Sequence, residues 1–176
     1  MQLNKILSVR ACSVGLIISV FTLIALGGEL ITNRTSVRAS EKQSDEVYQR
    51  GSEVMPFDQN LTRHMFVTNL SGGVQTVTVN DSSDSNQIRL IREHLQSEAE
   101  KFERGDFSDP AAIHGEDMPG LAELKGGKDL VDVQYNELPD GANLIYSSSD
   151  SEMVAAIHQW FNAQNQDHNG YENISH

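Results

Sequence analysis

From Ala11 to Gly28 the chain carries no charged side chain, and this stretch contains the run Val14-Gly-Leu-Ile-Ile-Ser-Val-Phe-Thr-Leu-Ile-Ala-Leu26. Water cannot solvate a surface so apolar, so the segment must enter a core or a membrane. The ten residues ahead of it hold Lys5 and Arg10 and no acid. A basic start followed by an apolar core is the layout of a secretory signal, and the run reaches the lower limit for a spanning helix, about 17–25 residues. Residues 1–28 are therefore expected to be a signal peptide or a transmembrane anchor. Cleavage, with Ala25 and Gly27 as its small residues, and retention are both open. With Lys5 and Arg10 on the cytosolic side, the remainder is expected outside, in a periplasm or lumen. A buried core helix fits the basic flank less well.

Cys12 is the single cysteine of the chain and lies at the start of this run. The exported part thus has no disulfide, no thiolate metal site and no cysteine nucleophile. From Glu41 onward there are 9 Lys and Arg against 24 Asp and Glu, a balance of 9 − 24 = −15. A domain so acidic repels nucleic acid and anionic lipid, so nucleic-acid binding is excluded.

Residues 29–54 are polar and lack a periodic apolar pattern, which predicts a flexible tether. One acidic domain follows over 55–170, with a flexible tail at 171–176. Two stretches within it resemble each other. Met65 to Gly73, then Val74 to Val79, leads into a helical pattern after Ser83-Asp-Ser-Asn. Val131 to Gly141, then Ala142 to Tyr146, leads into another after Ser149-Asp-Ser-Glu. Leu-Ser-Gly-Gly and Leu-Pro-Asp-Gly both carry hairpin-turn chemistry. Asp84 with Gln87, and Ser149 with Glu152, read as helix caps. Ile88, Ile91, Leu95, Ala99 and Phe102 share one helix face, and Met153, Ile157, Trp160, Phe161 and Gln164 share another. The expected fold is α+β: two ββα units, over 63–104 and 129–166, form a four-stranded antiparallel sheet with two helices packed on one face. The N-terminal hydrophobic helix stands apart. A long connection over 105–128 joins the units. Its apolar residues Ile113, Met118 and Leu121 predict order, and its length predicts function.

The densest chemistry lies in that connection. His114-Gly-Glu-Asp-Met118 sets an imidazole, two carboxylates and a thioether within five residues. Gly115 and Pro119-Gly120 let the backbone turn so that these groups can converge. Imidazole with thioether suits copper, and imidazole with carboxylate suits zinc. The candidate ligands are His114 and Met118, completed by some of Glu116, Asp117, His158, His168 and His64. No pair shows the helical His-x-x-x-His spacing, and a loop-bracing His114 beside solvated acids is the plainer alternative. His94 and His158 sit on the flanks of their helices, where packing is the ordinary role, and His94 has Glu98 four residues on. No Gly-x-Ser-x-Gly, phosphate loop or dinucleotide fingerprint occurs, so no catalytic or cofactor-binding residue is assigned.

Met55-Pro-Phe-Asp, Arg104-Gly-Asp-Phe-Ser-Asp-Pro, Ile113-His-Gly-Glu-Asp-Met-Pro-Gly-Leu-Ala-Glu-Leu-Lys125, Glu137-Leu-Pro-Asp-Gly141 and Ala156-Ile-His-Gln-Trp-Phe161 with Asp167-His168 carry a resemblance. Over 55–168 the chain resembles a family of small, often exported bacterial proteins commonly labelled aspartate carbamoyltransferase. The resemblance brings no activity with it. The label's chemistry needs a Ser-Thr-Arg-Thr-Arg loop for carbamoyl phosphate and a far longer chain, and neither is present here.

Three functions are expected, in this order. The first is a non-catalytic exported domain binding a metal ion, copper before zinc, which requires His114 within about 10 Å of another histidine. The second is an interaction or assembly module meeting a protein partner at the membrane surface, with an exposed apolar patch around Ile113, Met118 and Leu121. The third is a small hydrolase with a carboxylate–histidine pair in a pocket, such as Asp117 with His158.

Overall fold

The structure is a computed structural model and describes residues 42, 43 and 45–172. The expected signal or anchor, most of the upstream tether and the end of the tail lie outside the described residues. Among the described residues no helix is long and apolar enough to cross a membrane.

Four strands form one antiparallel sheet: β1 (Thr62–Asn69), β2 (Gly72–Val79), β3 (Asp132–Leu138) and β4 (Gly141–Ser147), in the order β1-β2-β4-β3. Each hairpin is the one its turn chemistry predicts, and the hairpins join through β2 and β4. Period-2 burial then sorts the side chains. Phe66, Val77, Val133, Leu144 and Tyr146 face the core, whereas Met65 and Val67 face outward and stand 43% and 62% exposed.

The long helices α2 (Ser85–Glu103) and α5 (Ser151–Glu172) cover the core face. Their buried stripes are those read from helical spacing, with Glu98 added in α2 and Ala156 in α5. The helices cross over. α2 packs chiefly on β3 and β4, and α5 on β1 and β2, so each hairpin is roofed largely by the other unit's helix. Neither unit can bury its apolar face alone, which makes the pair one domain. Asp84 caps α2 as expected, accepting from Gln87 N–H. In α5 the cap is Asp150 rather than Ser149: the helix starts at Ser151, and the Asp150 carboxylate accepts from the backbone of Glu152 and Met153.

Two expectations need correction. Residues 45–54, assigned to the tether, form helix α1, and its Val47 is 2% exposed in the core. Val47, Val54 and Met55 are the apolar anchors there, too few to show as a period in a window so polar. The connection over 105–128 is not a loop but two short helices, α3 (Ser108–His114) and α4 (Leu121–Gly126). Ile113, Met118 and Leu121 anchor it in the core at 7%, 7% and 0% exposure. Between them Gly120 adopts φ +81°, and a Cβ there would collide with the Ala156 carbonyl of α5. Only glycine allows that approach.

Candidate functional site

A cavity of about 50 Å³ lies between the sheet and the helices, where β1, β2, α2, α3 and α5 meet. Four histidines line it: His64 from β1, His94 from α2, His114 from the end of α3 and His168 from α5. A small apolar cavity ordinarily stays dry; one lined by imidazoles and carboxyls has partners for water or an ion.

Each ring is held by its neighbours. His168 stacks on Phe66 with centroids 5.7 Å apart, and its centroid is 4.9 Å from that of His64 and 5.4 Å from that of His114. His114 is within the 10 Å of another histidine that a metal site requires. Phe57 stands between His64 and His94, 5.6 Å from each. His114 Nδ1 meets Asp167 Oδ2 at 2.7 Å, and its side chain is 3% exposed. Two contacts from the N-terminal side brace this pair: Gln43 donates to the other Asp167 oxygen at 3.3 Å, and Arg50 of α1 donates to the Ile113 carbonyl. Gly115, at φ +104°, turns the chain away immediately after His114.

Burial dominates the electrostatics. It pushes His64 down to about 4, helped by the neighbouring His94 and His114. It pushes His94 down to about 4 as well, although Asp109 pulls the other way. His168 is driven well below the usual imidazole range by burial and by His64 and His114. These three rings are therefore neutral at pH 7, the form that binds metals. Glu98 moves in the opposite sense, raised to about 7 by burial and by its hydrogen bond with Asp109.

Three buried side-chain atoms have no hydrogen-bond partner among the described residues: His64 Nε2, Trp160 Nε1 and Gln164 Oε1. All three belong to residues lining this cavity. An unmet buried polar atom costs about 1–3 kcal/mol, so their concentration at one place asks for a ligand.

The structure brings together His64, His114 and His168 and separates the other candidates. His158 lies ten residues before His168 on α5, roughly 15 Å along the axis, and its Nε2 meets the Asn69 carbonyl at 2.9 Å. Glu116 pairs with Lys125 at 2.6 Å and is 75% exposed. Asp117 is exposed and Met118 is packed in the core; with Glu116 they line a separate outer groove, which shares only His114 with the cavity. The five-residue constellation is thus split by the end of α3, because His114 is helical and points inward while the next residues turn outward. The pairing of Asp117 with His158 does not form. His94 is a cavity residue rather than a flank packer, and Glu98 bonds Lys101, not His94.

Several residues were missed. Glu98 interrupts the apolar stripe of α2 at Leu95 + 3, and Trp160 and Gln164 stand four apart on α5, two turns and one turn before the candidate His168. A charge or amide on a buried stripe was the available signal. Asp109 gave none, since only the fold of α3 brings it beside Lys101.

No protein-family model matches the chain, and no curated protein or solved structure matches it either. The resemblance to the carbamoyltransferase-labelled family rests on the quoted residues alone. Among the described residues, no three His, Cys, Asp or Glu side chains form a metal cage as they stand.

Proposed function

We propose that the domain binds one transition-metal ion, zinc or copper, on His64, His114 and His168. The observation that carries this reading is the placement of the His168 ring between those of His64 and His114, beside an unpartnered His64 Nε2. With metal–nitrogen bonds of about 2.0–2.1 Å in tetrahedral geometry, ring centroids stand about 5 Å apart. The spacings of 4.9 and 5.4 Å fit that frame. No three of these side chains form a cage as they stand, so closing the site requires the rings to move. The bond from Asp167 to His114 Nδ1 leaves Nε2 for the metal, an outer partner that commonly orients a ligating imidazole. Three imidazoles suit zinc and Cu(II) alike. The case for copper through Met118 falls with that side chain's position, although the Met55 thioether lines the cavity.

Export, with residues 1–28 as signal or anchor, is part of the same proposal and rests on the sequence pattern alone. The interaction reading loses its predicted patch, because Ile113, Met118 and Leu121 are buried. Exposed Met65, Val67 and Leu70 on and beside the open sheet face are what remains for a protein partner.

The test is metal content and affinity of the purified full chain. Stoichiometric zinc or copper is expected, lost in His64→Ala and His168→Ala but kept in Met118→Leu and Glu116→Gln. Equal weak binding in parent and histidine variants sinks the proposal.

A further inference from the structure

The open face of the sheet is left uncovered among the described residues. Helices α1 to α5 all contribute to the single core on the opposite face, through Val47, Ile91, Ile113, Leu121 and Ile157. Strand pairing places the outward side chains in rows. Val67, Val74 and Ile145 form one row across β1, β2 and β4, and Met65 lies beside it on β1. Met65 and Val67 are the exposed residues noted above, and Leu70, in the turn between β1 and β2, is fully exposed. Charge is missing from this face. From Glu41 onward the chain has 24 Asp and Glu against 9 Lys and Arg, yet the outward positions of the four strands hold one of each sign, Arg63 and Asp132. These two stand at diagonally opposite corners, and every other outward residue is uncharged.

A patch with no charge at its centre, on a surface otherwise strongly acidic, has the composition of an interface core. Charge and shape also select the occupant. A basic protein would be drawn to the acidic surfaces instead, and an anionic bilayer would be repelled by them. A second copy of the domain carries the same neutral face, and approach through it keeps the acidic surfaces apart. Sheets of L-residues all twist in one sense. Two identical sheets related by a two-fold axis in the contact plane, parallel to the strands, therefore keep a constant separation of about 10 Å, the usual distance of packed sheets. With that axis between β2 and β4, Val74 of each copy meets Ile145 of the other, because the two are paired across those central strands. Four strands about 4.8 Å apart and about 25 Å long cover about 500 Å² per copy. The pair then buries about 1,000 Å², the area at which specific interfaces begin.

We propose that the domain pairs with a second copy of itself through the open face of the sheet, with Val74 and Ile145 at the centre of the contact and Met65, Val67 and Leu70 towards its rim. The pair is then a stack of helices, sheet, sheet and helices, whose two inner layers cover each other. The histidine cavity lies between sheet and helices, on the far side from the contact, so the pairing is independent of the metal reading. Because the contact is neutral and its surroundings are acidic, salt strengthens it by screening the repulsion between the two copies. A contact held by ion pairs would weaken instead.

The experiment is sedimentation equilibrium of the full chain in density-matched detergent micelles. The mass of two copies is expected, with tighter association at about 0.15 M salt than at about 0.01 M. Val74→Glu and Ile145→Glu each bring carboxylates into the centre of the contact and should weaken it by at least about a hundredfold. Ser97→Glu adds the same charge on the exposed side of α2 and should leave it unchanged. Circular dichroism checks that each variant is folded. Hydroxyl-radical footprinting gives a readout on the parent alone: oxidation of Met65 should fall severalfold as protein concentration rises. Val74 and Ile145 lie on the central strands, so copies joined edge to edge by β1 or β3, or through residues 1–28, would stay together in both variants. That result overturns the proposal. A parent that sediments as one copy at every concentration overturns it too, as does a paired parent whose Met65 oxidation ignores concentration.

Discussion

The two ββα units share one hairpin register, and their equivalent pairs differ. In the first unit His64 faces Val77 and Phe66 faces Gln75; in the second, Val133 faces Tyr146 and Tyr135 faces Leu144. The second hairpin contributes Tyr146 to a cluster of aromatic rings. Tyr146 sits 5.5 Å from Trp160 and 5.4 Å from Phe161, both edge-on. Its hydroxyl donates to Gln75 at 2.8 Å, at the border between the halves. The first half places imidazoles and an amide at the same depth and leaves His64 Nε2 unmet. The aromatic contacts close one part of the core, whereas the other part leaves a buried nitrogen unmet, which stability alone does not favour.

The largest effect expected lies in the aromatic cluster. Phe161→Ala removes a fully buried ring that touches Phe66, Tyr146 and Trp160, and should cost about 3–5 kcal/mol in urea unfolding.

His64→Val makes the first unit copy the second. It should abolish metal binding, by more than about a hundredfold in affinity, the upper range even for an outer-shell partner. Without metal it should raise stability by about 1–3 kcal/mol, because an unmet buried nitrogen disappears. Calorimetric titration and urea melts measure the two halves of that prediction. A destabilised, metal-competent His64→Val would erase the distinction between the units.

Acid should separate the halves next. His64 and His94 titrate near 4 in the fold against 6.5 unfolded, and His168 is also lowered. The unfolded chain thus binds more protons between these values. The stability these rings contribute is fully present above pH 6.5 and is lost as pH falls towards 4, by at most about 1.4 kcal/mol per pH unit for each group. Glu98, raised to about 7 from 4.5, acts oppositely: its contribution is present below pH 4.5 and lost as pH rises through 7. Metal-free protein should therefore weaken on acidification from pH 6.5 to 4.5, and Glu98→Gln should weaken more steeply. Urea midpoints at several pH values check this, and an unchanged slope in the variant would remove Glu98 from the balance.

The smallest change expected is in the outer groove. Glu116→Gln should alter metal affinity less than about twofold, since exposed pairs such as Glu116–Lys125 contribute about 0–1 kcal/mol. A large loss there would move the site back to the loop.

Much of the fold was legible. The Gly-bearing turns predicted both hairpins, and the stripes Ile88-Ile91-Leu95 and Met153-Ile157-Trp160 predicted which helix faces are buried. The site was legible only in part. His64, His114 and His168 were among the candidates, yet His114 was grouped with Glu116, Asp117 and Met118, its neighbours in sequence. Helix α1 was missed because only Val47, Val54 and Met55 bind it to the core, and α3 because residues 108–114 are too few to show a period.

Local sequence determined whatever depends on short-range periodicity and backbone chemistry: strands, turns, caps, apolar stripes and the acidic, cysteine-free character of the domain. Tertiary structure alone decided that α5 lies across β1 and β2, which carries His168 to within 5.4 Å of an imidazole 54 positions earlier and 4.9 Å of one 104 positions earlier. It also decided that Asp167 would hold His114 and that Asp109 would meet Glu98 through Lys101. Contacts so distant in sequence leave no periodic trace, because nothing about either residue's neighbours reports which helix will roof which hairpin.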